Sequence, residues 1–409
     1  MLDFLQNLRG RNPSATALVE PGGDPTRTFD AILRAAAGEG ASDIHFEPKE
    51  DGLFVRFRLD GEMHSHARLP VAQREALLAR GKIFGGMDIT EKRLPQDGRA
   101  VLKERGRRFH LRLSTLPTVH GESLVIRLLD QTMPGQDFAQ LGLAAPQADA
   151  LRAALAGPAG LIYLTGPTGS GKTTTLHAAL HALDHEGRVI HTLEDPVEYE
   201  FPGIRQTEIR EKIGLTFATS LRALLRQNPD ILLVGETRDA ETAQLAIRAA
   251  LTGHLVLSTL HTNDALAAIP RLRDLGVESF LLAASLRLVA AQRLVRRLCP
   301  ECKEPHPENS RLREEHRMPD AEFCRGVGCP ACRGRGFQGR LAIHEVISAE
   351  RYLPLIAANA PLGDLAAVRD REGTATLWQH GLTAAAQGHT TIEQVARVLL
   401  FFLTGPSGP

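Results

Sequence analysis

The sequence predicts an α/β protein in which a small α+β domain precedes a larger domain built on a mainly parallel sheet. Half-buried strand patterns surround helical segments in the first third of the chain. From about residue 147, apolar runs alternate with helical patterns, as is typical of a parallel sheet covered by helices. The stretch "LIYLTGPTGSGKTTTLHAAL" joins an apolar strand to a helix through a glycine-rich loop.

Composition places the chain among globular proteins. Its 409 residues include 48 Lys+Arg and 48 Asp+Glu, so no overall charge draws it to nucleic acid or anionic lipid. A 43% hydrophobic fraction excludes a disordered chain. The N-terminal segment has no secretory signal pattern, and no apolar run approaches the roughly 20 residues that span a bilayer. We therefore expect a cytoplasmic protein that a partner can recruit to a membrane.

The first third begins with a tail or linker at residues 1–26, which is rich in Gly, Pro and Ser. The small domain is predicted at 27–130. It opens with a helix in "TFDAILRAAAGEGA" and continues with strands in "SDIHFEP", "GLFVRFRLDGEM", "RRFHLRLSTLP" and "ESLVIRLLD". Residues 131–146 are predicted to form a hinge.

Strands and helices alternate regularly through residues 147–298, which we predict to form the nucleotide-binding core. Its strands are expected in "LIYLT", "VIHTLED", "DILLVGE" and "HLVLSTL". Residues 299–340 are rich in Cys, Arg and Gly and are predicted to form an insert. The pattern from 341 to 409 is helical and predicts a C-terminal helical subdomain.

The glycine-rich loop matches GxxxxGK[ST], the pattern of a phosphate-binding loop. Glycines allow backbone N–H groups to turn toward phosphates, and the helix N-terminus adds partial positive charge. Lys172 is expected to reach the β and γ oxygens of ATP, and Thr173 to ligate Mg²⁺. The predicted nucleotide-binding residues are Gly166, Pro167, Thr168, Gly169, Ser170, Gly171, Lys172, Thr173 and Thr174.

Acidic and histidine residues follow the other predicted strands of the core. Glu236 ends "DILLVGE" and is expected beside the phosphates, where it would orient or deprotonate water or act through the metal shell. "TLEDPVEYE" offers Glu194 and two further carboxylates as metal organisers or helix caps. His254 and His261 flank the next strand, and either is a candidate γ-phosphate sensor or a packed histidine.

Four of the five cysteines form two CxxC pairs, at Cys299 and Cys302 and at Cys329 and Cys332. Four thiolates can enclose Zn²⁺ tetrahedrally, and a closed site of this kind is structural. Cys324 is surplus and is expected to be packed or free. "CPACRGRG" also fits a chaperone zinc-finger repeat, and nearby arginines suggest nucleic acid, but acidic neighbours and few aromatics favour a solvated insert.

In their order, several motifs resemble the secretion ATPases of type II secretion and type IV pilus assembly and their pilus-retraction relatives. The motifs include "SDIHFEP", "LPQDGR", "GPTGSGKTTTL", "LEDPVEYE", "LVGETRD", "TGHLVLSTLHTND" and "QRLVRRLCPEC". The resemblance implies a hexameric ring of subunits, each with a PAS-like small domain and a RecA-like P-loop ATPase domain. The tetracysteine insert implies the assembly branch. Assembly ATPases usually carry a further N-terminal docking domain, whereas 26 linker-like residues precede the small domain here.

The resemblance also implies roles for individual residues. Glu236 matches the Walker B acid, Glu194 the acidic position of the "Asp box", and His261 the "His box". Arg112 and Arg127 match the arginines that the small domain supplies to the γ-phosphate. Further family arginine positions are Arg222, Arg226, Arg238, Arg271 and Arg340.

The sequence thus predicts a cytoplasmic ATPase motor, peripheral to the inner membrane, that uses ATP, Mg²⁺ and Zn²⁺. Its predicted partners are copies of itself and an inner-membrane platform protein, with no nucleic acid and an indirect membrane association. The alternative is a RecA-like nucleic-acid translocase or conjugation-type ATPase, which salt-sensitive stimulation by DNA would reveal. An ATP-binding scaffold is disfavoured because Lys172 and Glu236 are both present.

Overall fold

The computed structural model describes residues 24–131, 137–183 and 187–400. Most of the predicted tail at 1–26 and residues 132–136 of the predicted hinge lie outside these ranges. The chain divides into two compact units, one ending at Met133 and the other starting at Pro134. Within the described ranges, no helix combines the length and the apolar character needed to cross a membrane.

The first unit is a six-stranded antiparallel sheet with two helices, in strand order β3-β2-β1-β6-β5-β4. The helices are α1 (Pro25–Glu39) and α2 (Val71–Gly85). The strands are β1 (Asp43–Lys49), β2 (Gly52–Leu59), β3 (Glu62–Leu69), β4 (Gln96–Glu104), β5 (Arg107–Thr118) and β6 (Gly121–Asp130).

Alternation of apolar and polar residues explains this sheet. Ile44 and Phe46 on β1 and Ile126 on β6 are buried, while residues between them are partly exposed, so one face packs on the core. Helix α1 adds Phe29 to that core and is capped at its N-terminus by Asp24, whose side chain accepts a hydrogen bond from the backbone N–H of Thr26.

The second unit is built on a seven-stranded sheet in the order β15-β12-β7-β11-β10-β8-β9. Its strands are β7 (Gly160–Thr165), β8 (Ile190–Glu194), β9 (Arg205–Glu208), β10 (Ile231–Val234), β11 (Leu255–Leu260), β12 (Leu286–Leu298) and β15 (Phe337–Ser348). All neighbouring pairs are parallel except β12 with β15. A separate two-stranded sheet pairs β13 (Lys303–Pro305) with β14 (Cys324–Gly326).

The second unit also contains helices. They are α3 (Ala145–Ala156), α4 (Lys172–His181), α5 (Phe217–Leu224), α6 (Ala240–Leu251), α7 (Ala268–Asp274), α8 (Ser279–Ser285), α9 (Asn309–Glu315), α10 (Leu353–Ala357), α11 (Leu362–Arg371), α12 (Leu377–Ala386) and α13 (Ile392–Leu400). Short 3₁₀ turns occupy Glu211–Ile213, Leu225–Gln227 and Ala349–Tyr352.

The central strands are buried on both faces, which explains why they are continuous apolar runs. Leu161 and Tyr163 of β7 pack into one hydrophobic cluster, and Ile162 and Leu164 pack into the other. The ends of these parallel strands therefore meet at one edge of the sheet, where the predicted site residues follow them.

Strand β15 lies partly where the sequence predicted helices, after residue 340. It runs antiparallel to β12 along most of its length, and Ile343 and Ile347 enter the main core. The predicted boundary at residue 340 therefore falls inside a strand, which is buried continuously from Ala342 to Ile347. Helices follow from residue 353 onward.

Candidate functional site

The phosphate loop connects the end of β7 to the start of α4. Gly166, Gly169 and Gly171 have φ values of 148°, 78° and 89°. A Cβ at Gly166 would lie 2.6 Å from the carbonyl oxygen of Gln292, and one at Gly171 would lie 2.7 Å from Nε2 of the same residue. Glycine is required at both positions by conformation and by the close approach of β12.

Lys172 places its ammonium in the concave side of this loop. Its Nζ donates to the carbonyl oxygens of Gly166 at 2.5 Å and Pro167 at 3.2 Å. Burial lowers the pKa of Lys172 to about 8, since nearby Glu236 only partly offsets the desolvation. Phosphate oxygens would give this buried cation stronger, charged acceptors than two carbonyls. Thr173, exposed at the start of α4, is available to a metal ion.

Glu236 follows β10 and is flanked by two basic side chains. Its Oε1 lies 3.0 Å from Nε2 of His261, and its Oε2 lies 2.7 Å from Nη2 of Arg238. Burial acts to raise the pKa of Glu236, but Arg238, His261 and Lys172 bring it below its usual range. An ionised carboxylate in this position can accept a hydrogen bond from water and orient it.

His261 and His254 lie at opposite ends of β11. Burial and the Lys172 ammonium lower the pKa of His261, so its ring is neutral at neutral pH. Nδ1 of His254 instead lies 2.9 Å from the Ala249 carbonyl oxygen, close to the end of α6. The structure therefore groups only His261 with the phosphate loop and Glu236.

Glu194 ends β8 with its carboxylate engaged by neighbouring side chains. It accepts hydrogen bonds from Oγ1 of Thr192 at 2.6 Å and Nε2 of Gln206 at 3.0 Å, and Nε2 of His177 lies 3.6 Å away. His177 belongs to α4 and packs edge-on against Tyr199. Glu194 thereby links β8 and β9 to the helix that begins at the phosphate loop.

Hydroxyl groups that the sequence analysis did not identify fix the segment around Glu236. Oγ1 of Thr237 lies 2.8 Å from Oγ of Ser258 and 3.3 Å from the Tyr163 hydroxyl. Oγ1 of Thr259 donates to the carbonyl oxygen of Gly235. The available signal was the presence of hydroxyl residues on β7 and β11 and just after β10.

In the first unit, five charged residues lie side by side across the sheet on β2, β1, β6, β5 and β4. They are Arg58, Asp43, Arg127, Arg112 and Arg99. Directly paired residues share a face of the sheet. Nε of Arg127 donates to Oδ1 of Asp43 at 3.0 Å, while 61% of the Arg127 side chain remains exposed. Arg58 and Arg127 thus flank the Asp43 carboxylate, and Arg112 and Arg99 continue the row on a face that suits a polyanion.

The four cysteines of the two CxxC pairs lie together. Their Sγ atoms are all within 4.8 Å of one another. The backbone N–H groups of Cys329 and Gly336 both point at Sγ of Cys332, at 3.2 Å. Although burial acts to raise it, these N–H groups help to lower the pKa of Cys332 to about 6. The donor set fits a tetrahedral metal ion.

Glycines close the loop that carries the second cysteine pair, Cys329 and Cys332. A Cβ at Gly326 would lie 2.1 Å from the carbonyl oxygen of Gly336, and one at Gly328 would lie 2.6 Å from that of Gly334. Main chain therefore contacts main chain at both levels. Cys324 is outside the cluster, and its Sγ lies 3.5 Å from the Glu322 carbonyl oxygen.

Comparison with known proteins gives consistent matches. Residues 23–397 match the family model described as Type II/IV secretion system protein. "Type II secretion system protein E" of Aeromonas hydrophila is 45% identical over 376 residues, covering 91% of this chain and 75% of that protein. "Type II secretion system ATPase E" of Vibrio cholerae is also 45% identical, with the same coverage of each chain. "Type IV pilus assembly ATPase PilB" of Thermus thermophilus is 45% identical over 89% of this chain and 42% of its own length.

Solved structures show a similar fold. The Legionella pneumophila ATPase DotB has a TM-score of 0.70 at 20% identity, covering 96% of this chain and all of that chain. The pilus retraction motor PilT with bound ADP has a TM-score of 0.59 at 26% identity, covering 90% and 95%. The predicted mixed α/β architecture with a RecA-like ATPase fold is confirmed.

Proposed function

We propose that this chain powers pseudopilus or pilus assembly or type II protein secretion, since it belongs to the Type II/IV secretion system protein family and is an ATPase. One observation carries the proposal. A complete phosphate loop lies beside the Glu236 and His261 pair in a chain that is 45% identical to a type II secretion ATPase. The work would be done as a hexamer on an inner-membrane platform protein, at the cytoplasmic side of that membrane.

We propose that ATP binds at residues 166–174, with Lys172 contacting phosphate oxygens. Thr173 would ligate Mg²⁺, which supplies positive charge to the phosphates. Glu236 orients the attacking water through its carboxylate, and His261 holds that carboxylate in place from 3.0 Å. Glu194 supports α4 from behind through His177. Arg112 and Arg127 bind nucleotide phosphate as delocalised cations.

The cysteine cluster is proposed to hold Zn²⁺ as a structural site. Four thiolates leave no coordination position for a reacting water, so the ion would contribute stability rather than chemistry. The ion would link the Cys299 pair to the Cys329 pair. It would thereby make the insert at residues 299–340, the cysteine lobe, rigid for contact with a neighbouring subunit or the platform protein.

The test is Glu236→Gln, which keeps the size of the side chain and one hydrogen-bond acceptor but removes its charge. We expect kcat for ATP hydrolysis to fall by about 10²-fold or more, as when a positioned acid or base is lost, while ADP binding is retained. Glu350→Gln, a variant of an exposed carboxylate beyond the end of β15, is the control and should hydrolyse ATP normally. Hydrolysis near the wild-type rate in Glu236→Gln, with nucleotide bound, would remove Glu236 from the mechanism.

A further inference from the structure

Arg293 is a buried cation at the centre of the second unit that the proposed mechanism does not use. It lies in the middle of β12 and is 2% exposed. A buried guanidinium is costly unless hydrogen bonds and opposite charge surround it. Asp264 and, when it is ionised, Glu345 supply that opposite charge, although burial still lowers the pKa of Arg293 to about 10. The side chain therefore carries its charge at neutral pH.

The guanidinium lies directly against the phosphate loop. A Cβ built on Gly166 would lie 2.9 Å from Nη1 of Arg293. The same Nη1 donates to the carbonyl oxygen of Gln292 at 2.9 Å, and the Gln292 side chain accepts from Oγ1 of Thr175 on α4. Gln292 and Arg293 therefore contact both the start of the phosphate loop and the helix that follows it.

The other end of the guanidinium holds the segment that follows His261. Nη2 of Arg293 donates to the carbonyl oxygens of Asn263 at 2.7 Å and Thr262 at 3.3 Å. The backbone N–H of Thr262 also donates to Oγ1 of Thr165, the last residue of β7. Two neighbouring strands therefore clamp the residue next to His261.

We infer that Arg293 is a positioning residue, which fixes the segment after His261 against the phosphate loop. His261 can then hold the Glu236 carboxylate at the correct position beside the bound phosphates. The inference rests on the proposed roles of His261 and Glu236. A planar guanidinium suits this task because its donors point in fixed directions, whereas a lysine ammonium cannot bridge the same three carbonyls.

A double-mutant cycle separates positioning from general support of the fold. Arg293→Lys is compared in the wild-type and His261→Ala backgrounds, with kcat for ATP hydrolysis and the Kd for ADP measured in each. If Arg293 acts through His261, Arg293→Lys lowers kcat about tenfold in the wild type, changes the ADP Kd less than threefold, and lowers kcat little further when His261 is absent. Arg287→Lys, on the exposed end of the same strand, is the control and should leave kcat unchanged.

An equal loss of kcat from Arg293→Lys in both backgrounds would overturn the inference while leaving the ATPase function intact. Absence of hydrolysis in the wild-type protein would instead count against the proposed function. Thermal unfolding checks that each variant folds. If Arg293→Lys does not, the neutral variant Arg293→Gln is carried through the same four-way comparison, with the same two outcomes.

Discussion

Glu345 is a carboxyl group whose burial should make the stability of the second unit depend on pH. It lies on β15, is 1% exposed, and accepts the backbone N–H of Leu377 at 3.3 Å. Nη1 of Arg369 is 3.9 Å from its other oxygen. Burial raises the pKa of Glu345 from 4.5 to about 7, with Asp264 adding to the effect.

The change Glu345→Gln removes this titration and keeps an acceptor for Leu377. In the unfolded chain the carboxyl ionises near its ordinary pKa, so ionisation favours unfolding as pH rises from about 4.5 to about 7. At about 1.4 kcal/mol per pH unit, the penalty reaches roughly 3 kcal/mol above pH 7 and is absent below pH 4.5. The glutamine variant should therefore be the more stable protein at pH 8.

Thermal unfolding at pH 5 and pH 8 measures this difference. Using about 2–4 °C per kcal/mol for a domain of this size, the variant should gain roughly 6 °C or more in Tm at pH 8 and clearly less at pH 5. Glu350→Gln, an exposed carboxylate two residues beyond β15, is the matched control and should show no such pH-dependent gain. The same change in Tm at both pH values would refute the assignment of a buried carboxyl group with a raised pKa.

Two further changes test the cysteine lobe. Cys302→Ser should lose the zinc proposed for this cluster, measured by elemental analysis, whereas Cys324→Ser should keep it because Cys324 lies outside the cluster. Equal zinc content in both variants would contradict the proposed site. Gly326→Ala should lower the free energy of unfolding by about 1–3 kcal/mol because its Cβ meets a carbonyl oxygen. Gly363→Ala, with open space around it, should not, and unfolding in urea compares the two.

The parts of the site that lie on one continuous segment could be predicted from the sequence. The phosphate loop needs only a strand, a glycine-rich turn and a helix in succession, so Lys172 and Thr173 follow from the pattern. Two CxxC pairs likewise predict a cluster because four thiolates of that spacing have few other uses. Glu236 could be placed because ligands bind where parallel strands end.

Contacts between distant segments could not be predicted. Arg293 meets Thr262 only because β12 lies beside β7, a neighbour relation that no local pattern specifies. The partners of Glu194 depend on α4 packing over β8, which brings His177 to its carboxylate. Strand β15 was missed because several helices follow it, and their helical pattern determined the prediction for the whole segment after residue 340.

The opposed glycines of the cysteine lobe have a consequence for how this surface can change over time. Gly326 meets Gly336, and Gly328 meets Gly334, through main-chain atoms alone. The shape of the ligand cage therefore does not depend on the side chain of Val327, which lies between two of these glycines and is 53% exposed. That exterior position can change to suit a different docking partner while the ligand cage beneath keeps its shape.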